Sequence, residues 1–249
     1  MARGWEREVV WMFEIARHQI RRRRLETVAL TTGFAGIALA ALAIVFENGS
    51  QTIGAFLASG LYQFGWMLGL GSYFAYRAGS LLAKDVEHDR VDVLLSAPIS
   101  RSSIVRQRFL ALLIVMLLIN GVVCIIVYLG TIVIGTPVQP MNLLAVHAFS
   151  IPYLLVCASI GLLFSAGAST STRASVASAA VVLALFVFTR QVDGTAYEWL
   201  SVLCPAHYYD PTAILVTNAY AVTDGVLLLV VAFLFSSLGR LWFRSMDLR

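Results

Sequence analysis

Charge is what this chain has least of. Only 13% of its 249 residues are Asp, Glu, Lys or Arg, and none occurs between Arg108 and Arg173. Hydrophobic residues make up 59%, well above the proportion in a soluble domain, and a water-soluble fold of this size could not bury them all. Lysine occurs once, as Lys84, and is followed by Asp85. A phosphate-binding loop needs Lys followed by Ser or Thr after a glycine-rich turn, so no such loop is present.

Chemistry-bearing clusters are equally scarce. Cys124, Cys157 and Cys204 suggest no disulfide framework and no metal-ligand spacing, and two of them sit in apolar runs as small hydrophobes. His18, His88, His147 and His207 are scattered, and no Gly-x-Ser-x-Gly elbow occurs. The histidines are read as interfacial or loop residues. No catalytic, cofactor or metal site is expected on this chain, which is not expected to be an enzyme.

What the chain does have is long uncharged runs. Hydrocarbon about 30 Å thick takes about 20 apolar helical residues, and six runs qualify: 27–46, much of 48–76, 109–134, 145–166, 174–189 and 222–241. Gly135, Thr136, Pro137 and Pro140 mark a reversal between the third and fourth. Arg173 and Arg190 flank the fifth, where their stems are expected to snorkel toward headgroups. The predicted fold class is therefore an all-α integral membrane protein with six transmembrane helices, forming one domain over 1–249.

Six spans put both termini on one side. Every Lys and Arg except Arg190 falls on that side, and because translocated short loops tend to lack basic residues, that side is predicted to be cytoplasmic. The placement fits the cell membrane. Residues 1–26 are charged and aromatic rather than signal-peptide-like, so the first span is expected to stay in the mature protein. Trp5, Val9, Met12, Phe13, Ala16 and Ile20 recur at helical spacing, which predicts an interfacial helix with its arginines toward headgroups. The run Arg21–Arg24 next to a span reads as a topology signal, and no nucleic-acid partner is expected.

Two loops are long enough to carry function. Residues 190–220 mix Trp199, Leu200, Val202 and Leu203 with Pro205 and Pro211. They fit either broken half-helices dipping into the outer leaflet or an amphipathic surface loop. Residues 76–108 contain the densest charge in the chain. There Val86, Val91, Leu94 and Leu95 can form an apolar stripe while Glu87, Asp89, Arg90 and Asp92 face water or a partner. Pro98 ends that helix, and Ser100 can cap the next.

The order Glu87, then Leu94-Leu95-Ser96-Ala97-Pro98-Ile99-Ser100-Arg101 leading into span three, resembles that of the type-2 ABC transporter permeases. The resemblance runs the length of the chain. It includes the N-terminal helix, six spans, a Pro-aromatic element at 205–209 and a short basic tail. Where the family often has Gly-Thr ahead of the Leu-Leu segment, this chain has Asp89-Arg90. The resemblance implies a coupling helix at 87–95 docked on a separate cytoplasmic ABC ATPase that binds ATP and Mg. It makes Glu87, Asp89, Arg90, Asp92, Leu94, Leu95, Pro98, Ser100 and Arg101 the ATPase-coupling residues. It also implies a second permease subunit, identical or related, beside this one in the lipid bilayer.

Two rival readings stand beside the exporter. One is a scaffold whose charged loop recruits a cytoplasmic partner and moves nothing. The other is a lipid-acting enzyme, which would need interfacial His or carboxylate clusters that are not found. A secondary transporter is disfavoured because the spans hold essentially no ionisable residue. Gln63, Asn120, Ser165, Ser175 and Ser178 are read as packing groups in preference to a path.

Overall fold

The computed structural model describes residues 24–48, 53–87 and 101–245, and among these it is all helix and turn, with no strand. The helices are α1 (Arg24–Asn48), α2 (Ile53–Gly79), α3 (Ala83–Glu87), α4 (Arg101–Val133), α5 (Pro140–Gly167), α6 (Ser171–Val192), α7 (Pro211–Thr217) and α8 (Val222–Ser245). Six of them, α1, α2, α4, α5, α6 and α8, are long and apolar enough to cross a membrane. All six expected spans are therefore present, and the chain is an all-α multi-pass membrane protein.

The boundaries shift in instructive ways. Arg24, Leu25 and Glu26 belong to α1 and not to a separate interfacial helix; the remainder of that expected helix lies outside the described residues. Pro140 does not break a helix but opens α5 at its first turn, where a missing N–H costs nothing. The expected 3–4 reversal is present, as the turn at Ile134 and Gly135, the latter at φ +82°, followed by the non-helical stretch 136–139.

Because α5 packs against α8, α2, α6 and α4, it is the most buried span, and α1 and α8 are the least. The outward faces of the peripheral spans carry Ile37, Leu39, Leu227 and Phe233. A satisfied helical backbone under such side chains suits hydrocarbon. Two glycines set the closest helix approaches. A Cβ on Gly161 of α5 would lie 2.2 Å from the Ala75 carbonyl oxygen of α2, and one on Gly79 of α2 would lie 2.8 Å from the Ala174 carbonyl oxygen of α6. With no side chain in the way, the Ser178 hydroxyl donates to the Ala75 carbonyl at 2.9 Å. Small residues thus serve helix packing, as expected of Ser178.

Over Leu57–Leu70 α2 widens into a π-helix, and the Gly71 N–H at its end is shared between the carbonyls of Leu68 and of Trp66, five residues back. The buried face follows the wider turn. Leu57, Leu61, Trp66 and Leu70 are all but fully buried, at spacings of four, five and four residues where an α-helix repeats every 3.6.

Between α6 and α8 the chain forms two 3-10 turns, Glu198–Leu203 and Pro205–Tyr208, and then α7. Asp210 caps α7, accepting from the N–H groups of Thr212 at 2.8 Å and Ala213 at 3.2 Å. One flank of this segment is buried, through Ala206, Tyr209, Ile214 and Leu215, while Trp199 and Leu203 are exposed. Tyr209 donates to the Val146 carbonyl of α5 at 3.0 Å and stacks on Tyr153. Burial, followed by the charge of Asp210, pushes the Tyr209 phenol well above its ordinary pKa, so it remains a donor.

Candidate functional site

The loop that follows α2 is anchored before it leaves the bundle. After Gly79 the chain turns through Ser80, Leu81 and Leu82 into α3. The buried Ser165 hydroxyl of α5 accepts from the N–H groups of Leu82 at 2.8 Å and Ala83 at 3.0 Å. These are the amide just before α3 and the first amide of α3, which lack intrahelical acceptors. Arg108 of α4 reaches back to the Leu81 carbonyl.

Glu87, the last residue of α3, caps the start of α6. Its Oε2 accepts from the Ser171 N–H at 3.0 Å and the Ser171 hydroxyl at 2.5 Å. Thr170 occupies the N-cap position but makes no side-chain cap, and its buried hydroxyl has no hydrogen-bond partner. A carboxylate there serves both the orphan amide and the positive end of the helix dipole. At the same end, Arg77 of α2 pairs with Glu26 of α1 at 2.6 Å.

Of the sequence-predicted coupling residues, the structure therefore places Glu87, and it places that side chain against this chain's own α6. Arg101 opens α4, one residue after the expected cap Ser100. Asp89, Arg90, Asp92, Leu94, Leu95, Pro98 and Ser100 lie outside the described residues, as does most of the expected coupling helix.

In the opposite half, a buried polar network joins α2, α4 and α5. Tyr62 Oη lies 2.9 Å from His147 Nε2, and His147 Nδ1 lies 3.0 Å from Asn120 Oδ1. Trp66 Nε1 donates to the same oxygen at 3.3 Å. Ser150 Oγ lies 2.8 Å from it and 2.7 Å from the His147 carbonyl, so its one proton serves one acceptor at a time. Asn120 donates its amide to the Met116 carbonyl at 3.0 Å, which fixes which end of the side chain faces the network. Since Asn120 Oδ1 only accepts, His147 carries its proton on Nδ1 and accepts from Tyr62.

This network corrects two expectations. His147 is not an interfacial or loop histidine but a buried residue of a spanning helix, so the spans do hold an ionisable side chain. Asn120, expected to serve packing, is the hub of the cluster. The missed signal was the pairing of Tyr62 with Trp66 and of His147 with Ser150, each one helical turn apart on a single face. His207 behaves as expected of a loop residue, with Nδ1 2.8 Å from Ser201 Oγ.

Arg190, exposed near the end of α6, has partners within the bundle. Side chains on a helix lean toward its N-terminus, which for α6 is the end carrying the loop root. The guanidinium lies over the Phe186 ring at 5.7 Å. The Gln63 amide, oriented with its oxygen toward it, accepts at 2.6 Å and 2.8 Å from the terminal nitrogens. Ser165 and Ser178 act in helix packing and capping, while Cys157 and Cys204 are buried free thiols. No group of three metal-ligating side chains occurs among the described residues.

The frame and the anchored loop can be set against known proteins. A family model described as ABC-2 family transporter protein matches residues 8–248. No curated protein matches the chain.

Proposed function

We propose that this chain, which belongs to the ABC-2 transporter family and is a membrane permease of an ABC transporter, exports its substrate using ATP hydrolysed on a separate ATPase subunit. Beyond Glu87, residues 88–101 form the docking element for that ATPase, with Asp89, Arg90 and Asp92 offering charge and Leu94 and Leu95 an apolar ridge. ATP and Mg belong to the partner. The termini and the 76–108 loop face the cytoplasm across the cell membrane, and residues 190–220 face outward, with α7 and its neighbours re-entering the outer leaflet. A second permease subunit completes the path.

The observation that carries this reading is the family match across a frame of six helices able to span a membrane; with all six crossing, the charged loop after α2 lies on the side of both termini. Basic residues crowd that side, as they do on cytoplasmic faces. The test is co-purification with a candidate ATPase, comparing the native chain with Leu94→Glu and Leu95→Glu. The native chain is expected to hold the ATPase, and the variants to insert normally but release it. Unchanged association in both variants would remove the docking assignment.

A further inference from the structure

We infer that Glu87 is a positioning residue: a strut that joins the root of the 76–108 loop to the start of α6, so that displacement of the loop is delivered to α6 through this carboxylate. The inference rests on the proposed docking of an ATPase on that loop. It assigns Glu87 a different job from the one the family resemblance implied, since its carboxylate is engaged within the chain itself.

The geometry is reciprocal. Helix α3 takes the acceptor for its first amide, and for the amide just before it, from Ser165 of α5, and α6 takes the acceptor for its first amide from Glu87 of α3. Each of these helix starts is completed by a side chain from the other side of the contact. The local candidate for the α6 cap, Thr170, leaves its hydroxyl buried and unused, so the start of α6 depends on Glu87 and has no side-chain cap of its own.

Position along the chain makes this consequential. The 88–100 stretch is joined to α3 at Glu87 and to α4 at Arg101, so part of any load on it enters the bundle at Glu87. From there three attachments spread it: Ser171 to α6, Ser165 to α5, and Arg108 to α4 through the Leu81 carbonyl. Of the three, the Glu87 contact is the one that reaches the first residue of α6.

The test uses the full chain in complex with its ATPase in lipid nanodiscs. A single reporter cysteine at exposed Gln191, the far end of α6, is introduced after Cys124, Cys157 and Cys204 are replaced by serine or alanine. The readout is the change in its maleimide labelling rate on adding ATP and vanadate. Glu87→Ala is expected to keep the ATPase bound while shrinking that change about fivefold or more, and Glu87→Gln, which retains an acceptor oxygen, to restore part of it. A Glu87→Cys/Ser171→Cys disulfide is expected to leave the change intact, because the two positions do not separate.

Loss of ATPase binding in Glu87→Ala with normal insertion makes Glu87 a docking contact and overturns the strut, leaving the docking reading in place. A full labelling response in Glu87→Ala, or one abolished by the disulfide, also overturns it. A native chain that binds no ATPase removes the proposed function and the strut together.

Discussion

At the end of the bundle carrying the loop root, α2 meets α5 and α6 backbone to backbone; in the other half, α2 stands off and is bridged to α4 and α5 by side chains. The first contact is built from absence, since Gly79, Gly161, Ala75 and Ala78 present nothing that holds the helices apart. The second is built from large polar groups, Tyr62, Trp66, His147 and Asn120, filling the space beside a helix widened into the π form. The difference teaches how one helix can be rigid at one end and adjustable at the other. A backbone contact has no second arrangement, whereas hydrogen bonds among rotatable side chains can be exchanged.

Gly161→Leu is the strongest way to break this comparison. The added side chain would enter the Ala75 carbonyl and Ala78 methyl, and loss of monodisperse protein in detergent by size-exclusion chromatography is expected; the smaller Gly161→Ala should cost about 1–3 kcal/mol. If both variants keep the native thermal midpoint, the close contact is not rigid.

Asn120→Leu comes next. It removes the acceptor shared by Trp66, His147 and Ser150, and a buried donor left without a partner costs about 1–3 kcal/mol. Thermal unfolding followed by tryptophan fluorescence should show a lower midpoint and, because Trp66 loses its acceptor, a shifted emission. An unmoved spectrum would place Trp66 outside the network.

Ser178→Ala removes one bond to the Ala75 carbonyl across a contact that small residues already hold together. The loss should be near the membrane average of about 0.6 kcal/mol. A Ser178→Ala effect exceeding that of Asn120→Leu in the same assay would reverse the roles given to the two halves.

The smallest effect belongs to the Glu26–Arg77 pair, which is partly exposed. Glu26→Gln should cost under about 1 kcal/mol, with the difference from the native chain fading as salt is raised. A loss that persists at high salt would make this pair part of the rigid end.

The candidate site was legible in the sequence where composition alone decides and opaque where helices must be placed in register. Six spans follow from run length and charge because hydrocarbon tolerates little else, and all six are present. The loop after α2 stood out by its charge density, and Glu87 by its place in a familiar order of residues. Nothing local told that Glu87 meets Ser171, because that contact depends on how far α6 starts from the end of α3. His147 was misjudged for the same reason. A lone histidine near the start of a run reads as a boundary residue until α5 is seen to begin at Pro140, which carries His147 inside the bundle opposite Tyr62. That Arg190 meets Gln63 was equally hidden, because the contact joins α6 to α2.

By itself, the sequence determined that this chain lives in a membrane, how often it crosses and which side gathers the guanidinium groups, since these depend on transfer of whole segments between water and hydrocarbon. Tertiary structure alone decided which polar side chains meet. Tyr62, Asn120 and His147 come together, and Glu87 reaches α6, only because glycine contacts and a widened helix set the distances and rotations between spans. Hydrogen bonds act over about 3 Å, and no pattern along the chain specifies separation to that precision.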